Sequence, residues 1–475
     1  MSRSLLQFLK EARELHLRFV SGALGVVKPP IYVVGNPSAD LDSIVSAIVY
    51  SYFAHQRTPA SAPRSHIPLL NVPSIPSGSE LCRLRPEFVK ALWLSTNRPA
   101  TSDEEKWENT PESAGELLAE HIITVDDFAT HSRQYGKDNE QLCADVTMVD
   151  WNALPVQIER GVGSLTGLGN VHFSVVGYVD HHEYEGFVPS PDAMTSLHQY
   201  PAIIQPVGSC ASLIVAWLKD SKLWREPEAE AEETHKQLAR LALSPILIDT
   251  ANLTAESKVT DTDRTAVDIL LGTLLLDDAN VTSVTRATQN EIYNQVLEAK
   301  QASLDLLTVD EILDRDFKQW AETTAQGAAT LQLGFCSVVK PIQWVIRKAG
   351  GPESFLDSLS SFSASRALDI VVVMTAFGSD DKFCRELFVC ALRGGLAVEM
   401  LESEFIPEAS SRLGLRDWYP AEGDGMDQME AQGIRSALNA DAGKDGHWKR
   451  LWVQADVSKS RKQVAPLLRS AVTRD

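Results

Sequence analysis

Apolar runs that end in polar or acidic residues punctuate the first half of the chain: IYVVGN (31–36), VTMVDWN (146–152), FSVVGYVDHH (173–182) and LSPILIDT (243–250). Runs this short, rich in valine and isoleucine, predict buried strands. Between them the apolar positions change to helical spacing, as in SIVSAIVYSYFAHQ (43–56) and GSCASLIVAWLKD (208–220). Strands alternating with helices predict an α/β domain built on a doubly wound, mainly parallel sheet, whose ligands sit at the carboxyl ends of the strands. Residues 57–120, rich in proline, serine and charge, predict an irregular insertion around one further short strand, HIPLLNV (66–72). The acidic stretch EPEAEAEETHKQLARLAL predicts a helix with a solvated negative face. The opening segment SRSLLQFLKEARELHLRF combines helical spacing with both signs of charge, which fits a surface helix and not an acid-poor targeting sequence.

A helical connector, EIYNQVLEAKQASLDLL (291–307), leads to a second set of apolar runs: FCSVVKPIQWVI (335–346), LDIVVVMTAF (368–377) and CRELFVCAL (384–392). These predict strands with intervening helices, hence a smaller C-terminal α/β domain. The expected divisions are a domain over 1–295, a linker and hinge over 296–306, and a second domain over 307–475.

Composition fits that outline. The chain has 475 residues, of which 44% are hydrophobic and 23% charged, enough for two domains without a shortage of core. Its formal net charge of −20 argues against broad binding to nucleic acid or to anionic membrane. An anionic substrate would therefore have to meet metal ions or a local basic surface. Residues 446–475 reverse the overall sign, with seven Lys or Arg against two acids. Six scattered cysteines without a C-x-x-C pair favour a reducing compartment, and no apolar stretch approaches the roughly 20 residues that span a bilayer. A cytoplasmic monomer is expected, with neither nucleic acid nor membrane as a partner.

The chemistry is carried by aspartates at the ends of the predicted strands. Asp40 and Asp42 follow the first, Asp150 the second, Asp180 with His181 and His182 the third, and Asp249 the fourth. One such aspartate is most often a cap or a turn residue. Four strand ends in one sheet converge on one edge, and carboxylates gathered with imidazole are what divalent cations require. Hard oxygen donors with a borderline nitrogen suit Mn2+, Mg2+ or Co2+, two of them about 3.5–4 Å apart if one carboxylate bridges. The cations would also let neighbouring carboxylates stay ionised.

The order N-x-x-x-D-x-D, D, D-H-H, D resembles the N-terminal motifs of the DHH phosphoesterase superfamily. Ser460-Arg461-Lys462-Gln463-Val464 is similar to the S-R-K segment of the DHHA2 domain, shared by family II inorganic pyrophosphatases and fungal cytosolic exopolyphosphatases. The resemblance implies a DHH domain followed by a DHHA2 domain with a mixed sheet, with the active site in the cleft between them. It implies one metal held by Asp40 and Asp150 with Asn36 nearby, a second held by Asp42, Asp150, His181 and Asp249, and Asp150 as the bridge. His182 would lie beside the scissile phosphate, and Asp180 would orient the imidazoles. Asp316-Phe317-Lys318 resembles the family's D-x-K segment. Lys318, Ser460, Arg461 and Lys462 would grip phosphate, with Lys258 a further contact and Arg347, Lys348, Arg385 and Arg393 holding a leaving chain. Gly208-Ser209-Cys210, at a helix start, suits an N-cap or an anion.

Asn36 separates the possible substrates. The family's pyrophosphatases carry histidine there, whereas fungal exopolyphosphatases resemble this chain in carrying asparagine, a poorer ligand for transition metals. The resemblance thus implies an exopolyphosphatase in which hydroxide between two cations attacks the terminal phosphorus of inorganic polyphosphate. A pyrophosphatase, a prune-like short-chain polyphosphatase or phosphodiesterase, and an inactive phosphate-sensing scaffold are the alternatives.

Overall fold

The computed structural model describes residues 4–25, 28–55, 64–97, 106–137, 140–190, 200–224, 232–274, 281–324, 327, 329–379, 382–392, 395–420, 426–441 and 447–473. The chain divides into two compact units, Met1–Asp305 and Leu306–Asp475. Residues 296–306, expected to be a linker, lie in the helix Val281–Ala302 and the 3-10 turn Ser303–Leu306.

The first unit is built on a seven-stranded sheet. Its parallel part runs β2 (His66–Leu69), β1 (Ile31–Val34), β3 (Leu142–Val149), β6 (Val171–Asp180) and β7 (Ala202–Ile204). A hairpin of β4 (Val156–Glu159) and β5 (Val162–Ser164) adds antiparallel strands to β6. Side chains alternate between two buried faces: Val33, Val149 and Val179 pack into one apolar cluster, and Tyr32, Val34, Met148 and Tyr178 into the other. Because β1 is followed by the helix Leu41–His55 and then β2 on one side, while β3 lies on the other, the direction of winding reverses between β1 and β3. A crevice at the carboxyl ends of strands opens at such a switch point.

Three expectations need correction. LSPILIDT is not a strand: residues 243–249 continue the helix Glu232–Asp249, with Pro245 inside it. Leu238, Leu241, Ala242 and Ile246 keep helical spacing into this run and are all buried. A fully buried apolar run of this length has the same local signature in either conformation. Of the acidic stretch before it, residues 225–231 lie outside the described residues.

The insertion is also not irregular. Its described parts form the helices Ser79–Leu84, Pro86–Thr96 and Pro111–His121 around β2, while 57–63 and 98–105 lie outside the described residues. Pro86 and Pro111 open helices at positions whose missing N–H costs nothing. The opening segment forms the helix Leu5–Val20, capped by Ser4, with Leu5, Leu6, Phe8, Leu9 and Ala12 buried on one face.

The second unit holds a mixed six-stranded sheet in the order β12 (Leu415–Asp417), β13 (Trp448–Gln454), β11 (Lys382–Ala391), β10 (Ile370–Ser379), β9 (Thr330–Val338) and β8 (Phe317–Thr323). Only β9 and β10 pair in parallel. FCSVVKPIQWVI, expected as one strand, splits: β9 ends at Val338, and the helix Ile342–Ala349 starts after Pro341. Proline cannot extend the ladder, and its fixed φ favours a helix start. All six cysteines are free thiols, and among the described residues no helix is long and apolar enough to cross a membrane.

Candidate metal centre

The carboxyl ends of β1, β3 and β6 bring the DHH-type acids together around Asp150. Gly35 has no room for a side chain, since a Cβ there would stand 2.5 Å from Ser43 Cβ. That close approach lets the chain turn from β1 into the next helix. Ser43 then accepts from Asn36 N–H at 3.1 Å and donates its hydroxyl to Asp150 Oδ2 at 2.7 Å. The Asn36 amide also donates to Asp150 Oδ2, at 2.7 Å, while its oxygen accepts from Ser38 N–H at 2.8 Å. Asn36 is therefore placed as a hydrogen-bond partner of Asp150, with both ends of its amide engaged.

Asp150 itself, at φ +55°, sits in the left-handed region that aspartate tolerates better than most residues. Its second oxygen, Oδ1, is buried without a hydrogen-bond partner; His181 Nε2 stands 3.1 Å from it and His182 Nδ1 3.6 Å. His181 Nδ1 is 3.0 Å from the carbonyl of Val207, which can only accept, so in a neutral ring the proton sits on Nδ1 and the lone pair on Nε2. A lone pair thus faces an unsatisfied carboxylate oxygen. Positive charge resolves that arrangement, as a proton on the ring or as a metal ion. Among the described residues, Asp150, His181 and His182 each bring a ligand atom within 4.8 Å of the others. The donor set fits a divalent cation.

Asp180 is fully buried and accepts His182 Nδ1–H at 2.8 Å together with the backbone N–H groups of His181 (2.7 Å) and His182 (3.2 Å). Its other oxygen takes the amide of Asn152, which also binds Glu183 O and Glu185 N–H. The carboxylate thereby fixes the tautomer of His182 and leaves Nε2 as the ring atom able to act elsewhere.

The remaining acids differ in what they touch. Asp40 accepts Ser43 N–H at 3.0 Å, as a helix N-cap does. Asp42, buried, accepts Cys210 N–H at 2.6 Å and Ala211 N–H at 2.9 Å, so it caps the helix Cys210–Asp220. Gly208 N–H and Ser209 N–H go to Asp263 at 2.9 and 3.3 Å. The amides that suggested an anion site are thus filled by the chain's own carboxylates. Ser209 makes no side-chain cap, and its hydroxyl is buried without a partner. Asp249 ends a helix rather than a strand, and Lys300 and Lys258 act on its charge.

The acids disagree electrostatically. Burial, followed by the charges of Asp150 and Asp249, pushes the Asp42 carboxyl well up, and burial also raises Asp249. Burial works against the charge of Asp150 too, but His181, His182 and the Ser43 hydroxyl hold it below the usual carboxylate range. Without cations the cluster resists holding every carboxylate ionised, which is a second reason that it suits them.

In the second unit, Asp316 accepts Arg461 Nη2 at 2.7 Å through its side chain and Nη1 at 2.8 Å through its carbonyl, so the D-x-K segment and the S-R-K segment meet. Ser460 is tied to Gln463 Oε1 through its N–H (2.8 Å), Lys462 is exposed, and Lys318 lies on β8 opposite Phe335. Arg347 forms a paired contact with Glu430 and Arg385 donates to Val457 O, while Arg393 lies outside the described residues. Sequence motifs alone do not single out Ser43, Asn152, Asp263 or Lys300. The first two lie beside motif aspartates, and Asp263 lies in a VTDTD start signal; nothing local marked Lys300.

Residues 30–246 match the DHH family N-terminal domain, and residues 294–471 match the DHHA2 domain. The chain belongs to the DHH phosphoesterase family. A relative from Schizosaccharomyces pombe named "Putative exopolyphosphatase" is 28% identical to this DHH protein over 473 residues, 98% of this chain and 97% of the relative. A solved structure from Methanococcus jannaschii, described as a "putative family II inorganic pyrophosphatase", aligns with 93% of this chain and 99% of its own at 20% identity and a TM-score of 0.46. As a DHH phosphoesterase the chain is a hydrolase of a family that depends on divalent metal ions.

Proposed function

We propose that this phosphoesterase is an exopolyphosphatase that releases terminal phosphate from inorganic polyphosphate. The observation that carries the reading is the buried Asp150 Oδ1, unpartnered and faced by the Nε2 of His181. Asp40, Asp42, Asp150, His181 and Asp249 would hold two divalent cations, Mg2+, Mn2+ or Co2+, which supply when bound an acidified water and neutralisation of phosphoryl charge. Ser43 and Asn36 occupy Oδ2, so Oδ1 is the oxygen that Asp150 would offer to a cation.

His182, whose Nδ1–H is held by Asp180, would donate a proton to the leaving phosphate oxygen or stabilise its charge from Nε2 in its doubly protonated form. Lys258, Lys318, Ser460, Arg461 and Lys462 would bind phosphate oxygens. The Asp316 contact holds the Arg461 fork in one orientation. For the substrate, the support is the full-length likeness to the relative named for that activity, together with asparagine at position 36.

The test is release of phosphate from long-chain polyphosphate and from pyrophosphate with Mg2+, Mn2+ or Co2+. Faster release from the long chain is expected. Release from pyrophosphate alone would make the protein a pyrophosphatase, and release from neither with any metal would end the hydrolase assignment for phosphoanhydrides.

A further inference from the structure

Ala39, the residue before Asp40, stands in the left-handed region at φ +42°. A non-glycine residue is disfavoured there and must be held by its surroundings. From one side Asn36 holds it: its carbonyl accepts Ala39 N–H at 3.0 Å, and its side chain accepts Ser38 N–H at 2.8 Å. From the other side comes Arg85, which sits between the helices Ser79–Leu84 and Pro86–Thr96 and is 4% exposed. Its Nε donates to Ala39 O at 2.8 Å, its Nη2 to Ser38 O and its Nη1 to Leu84 O at 3.0 Å.

We propose that Arg85 is a positioning residue of the acidic site: its guanidinium grips the carbonyls of Ser38 and Ala39, keeps Ala39 left-handed and so aims the Asp40 carboxylate. The inference rests on the reading of Asp40 as a cation ligand. A planar fork with donors in fixed directions suits two successive carbonyls, which a lysine ammonium, a point donor, cannot reproduce. The helical insertion between β2 and β3 acquires a role in this way, since it delivers Arg85 to the loop after β1.

Charge and position predict opposite signs. A buried guanidinium repels cations, so by charge alone its removal would tighten their binding. If its task is to hold the loop, removal weakens binding.

The experiment is calorimetric titration of the metal-free full chain with Mn2+, comparing the parent with Arg85→Met, Arg85→Lys and Arg85→Met combined with Ala39→Gly. Urea midpoints are measured in parallel. Arg85→Met is expected to bind Mn2+ roughly tenfold more weakly, the scale set by a left-handed alanine without support. Arg85→Lys should fall between this variant and the parent. Adding Ala39→Gly should recover most of the loss, because glycine adopts φ > 0 without strain. Should Arg85→Met not fold, Arg85→Lys with and without Ala39→Gly makes the same comparison. Binding by the Arg85 variants as tight as the parent's, or tighter, overturns the positioning role. No Mn2+ binding by the parent overturns the metal reading, and this inference with it.

Discussion

In the proposed mechanism Asp150 concentrates the chemistry of the site in one side chain. One oxygen is saturated by Asn36 and Ser43 and the other faces His181 Nε2 at 3.1 Å, so the carboxylate is oriented before any ligand arrives. Pre-orientation of this kind removes a reorganisation cost at the moment of binding. Asp150→Asn keeps the shape but presents a neutral oxygen or an N–H where the anion stood. Phosphate release from polyphosphate is expected to fall to a few per cent of the parent or less, roughly the loss seen when an electrostatic group is removed, with the circular dichroism spectrum unchanged. Retention of more than about a tenth of the rate would deny Asp150 its central place, given the same scale. The neighbouring histidines follow the same logic, each with its Nδ1 committed, to Val207 O for His181 and to Asp180 for His182.

At the scale of elements, the helix Cys210–Asp220 shows how acids can have structural work inside a functional motif. Its first amides are divided between Asp42 and Asp263. Asp263 also accepts Ser212 Oγ at 2.7 Å and both the N–H and the hydroxyl of Thr260 at 2.8 Å. Gly208 is required beside it, because a Cβ would stand 2.6 Å from Thr250 Cγ2 and 2.9 Å from Asp263 Oδ2. Asp263→Ala would leave several buried donors without acceptors, so a loss of about 3 kcal/mol is expected in urea unfolding. A change below about 1 kcal/mol, the worth of one ordinary hydrogen bond, would show that water replaces the carboxylate. The same helix start suggests an anion site from sequence; the first turns of the helices Leu41–His55 and Asp261–Leu274 present two internal carboxyl groups to it instead.

At the scale of the first unit, three elements meet at His16, where the helix Leu5–Val20 touches β1 through Tyr32 Oη (2.8 Å) and the helix Val125–Gln134 through His131 Nδ1 (3.1 Å). Burial, then His131 and Arg13, hold the His16 imidazole well below its ordinary range, so it is neutral in the folded chain. The unfolded chain takes up a proton near pH 6.5 while the native state does not, so this stability is complete above that pH and is lost as pH falls. Comparing urea stabilities of the parent and His16→Gln at pH 7.5 and 5.5, the parent's advantage should shrink by about 1 kcal/mol; a constant difference would mean that His16 is charged when folded. Sequence alone determined β1, β3 and β6, the acids that follow them and the existence of two units, because continuous apolar runs with polar ends are local signals. It could not tell that residues 243–249 are helical, since burial on all sides removes the periodicity that separates helix from strand. Nor could it say which carboxylate oxygens remain for a cation. Asp42 is capped onto an amide 168 residues away and Asp150 is clamped by a serine 107 residues away. Such pairings exist only once the sheet has brought distant turns to one edge, so the identity of the candidate ligands was local information and their availability was tertiary.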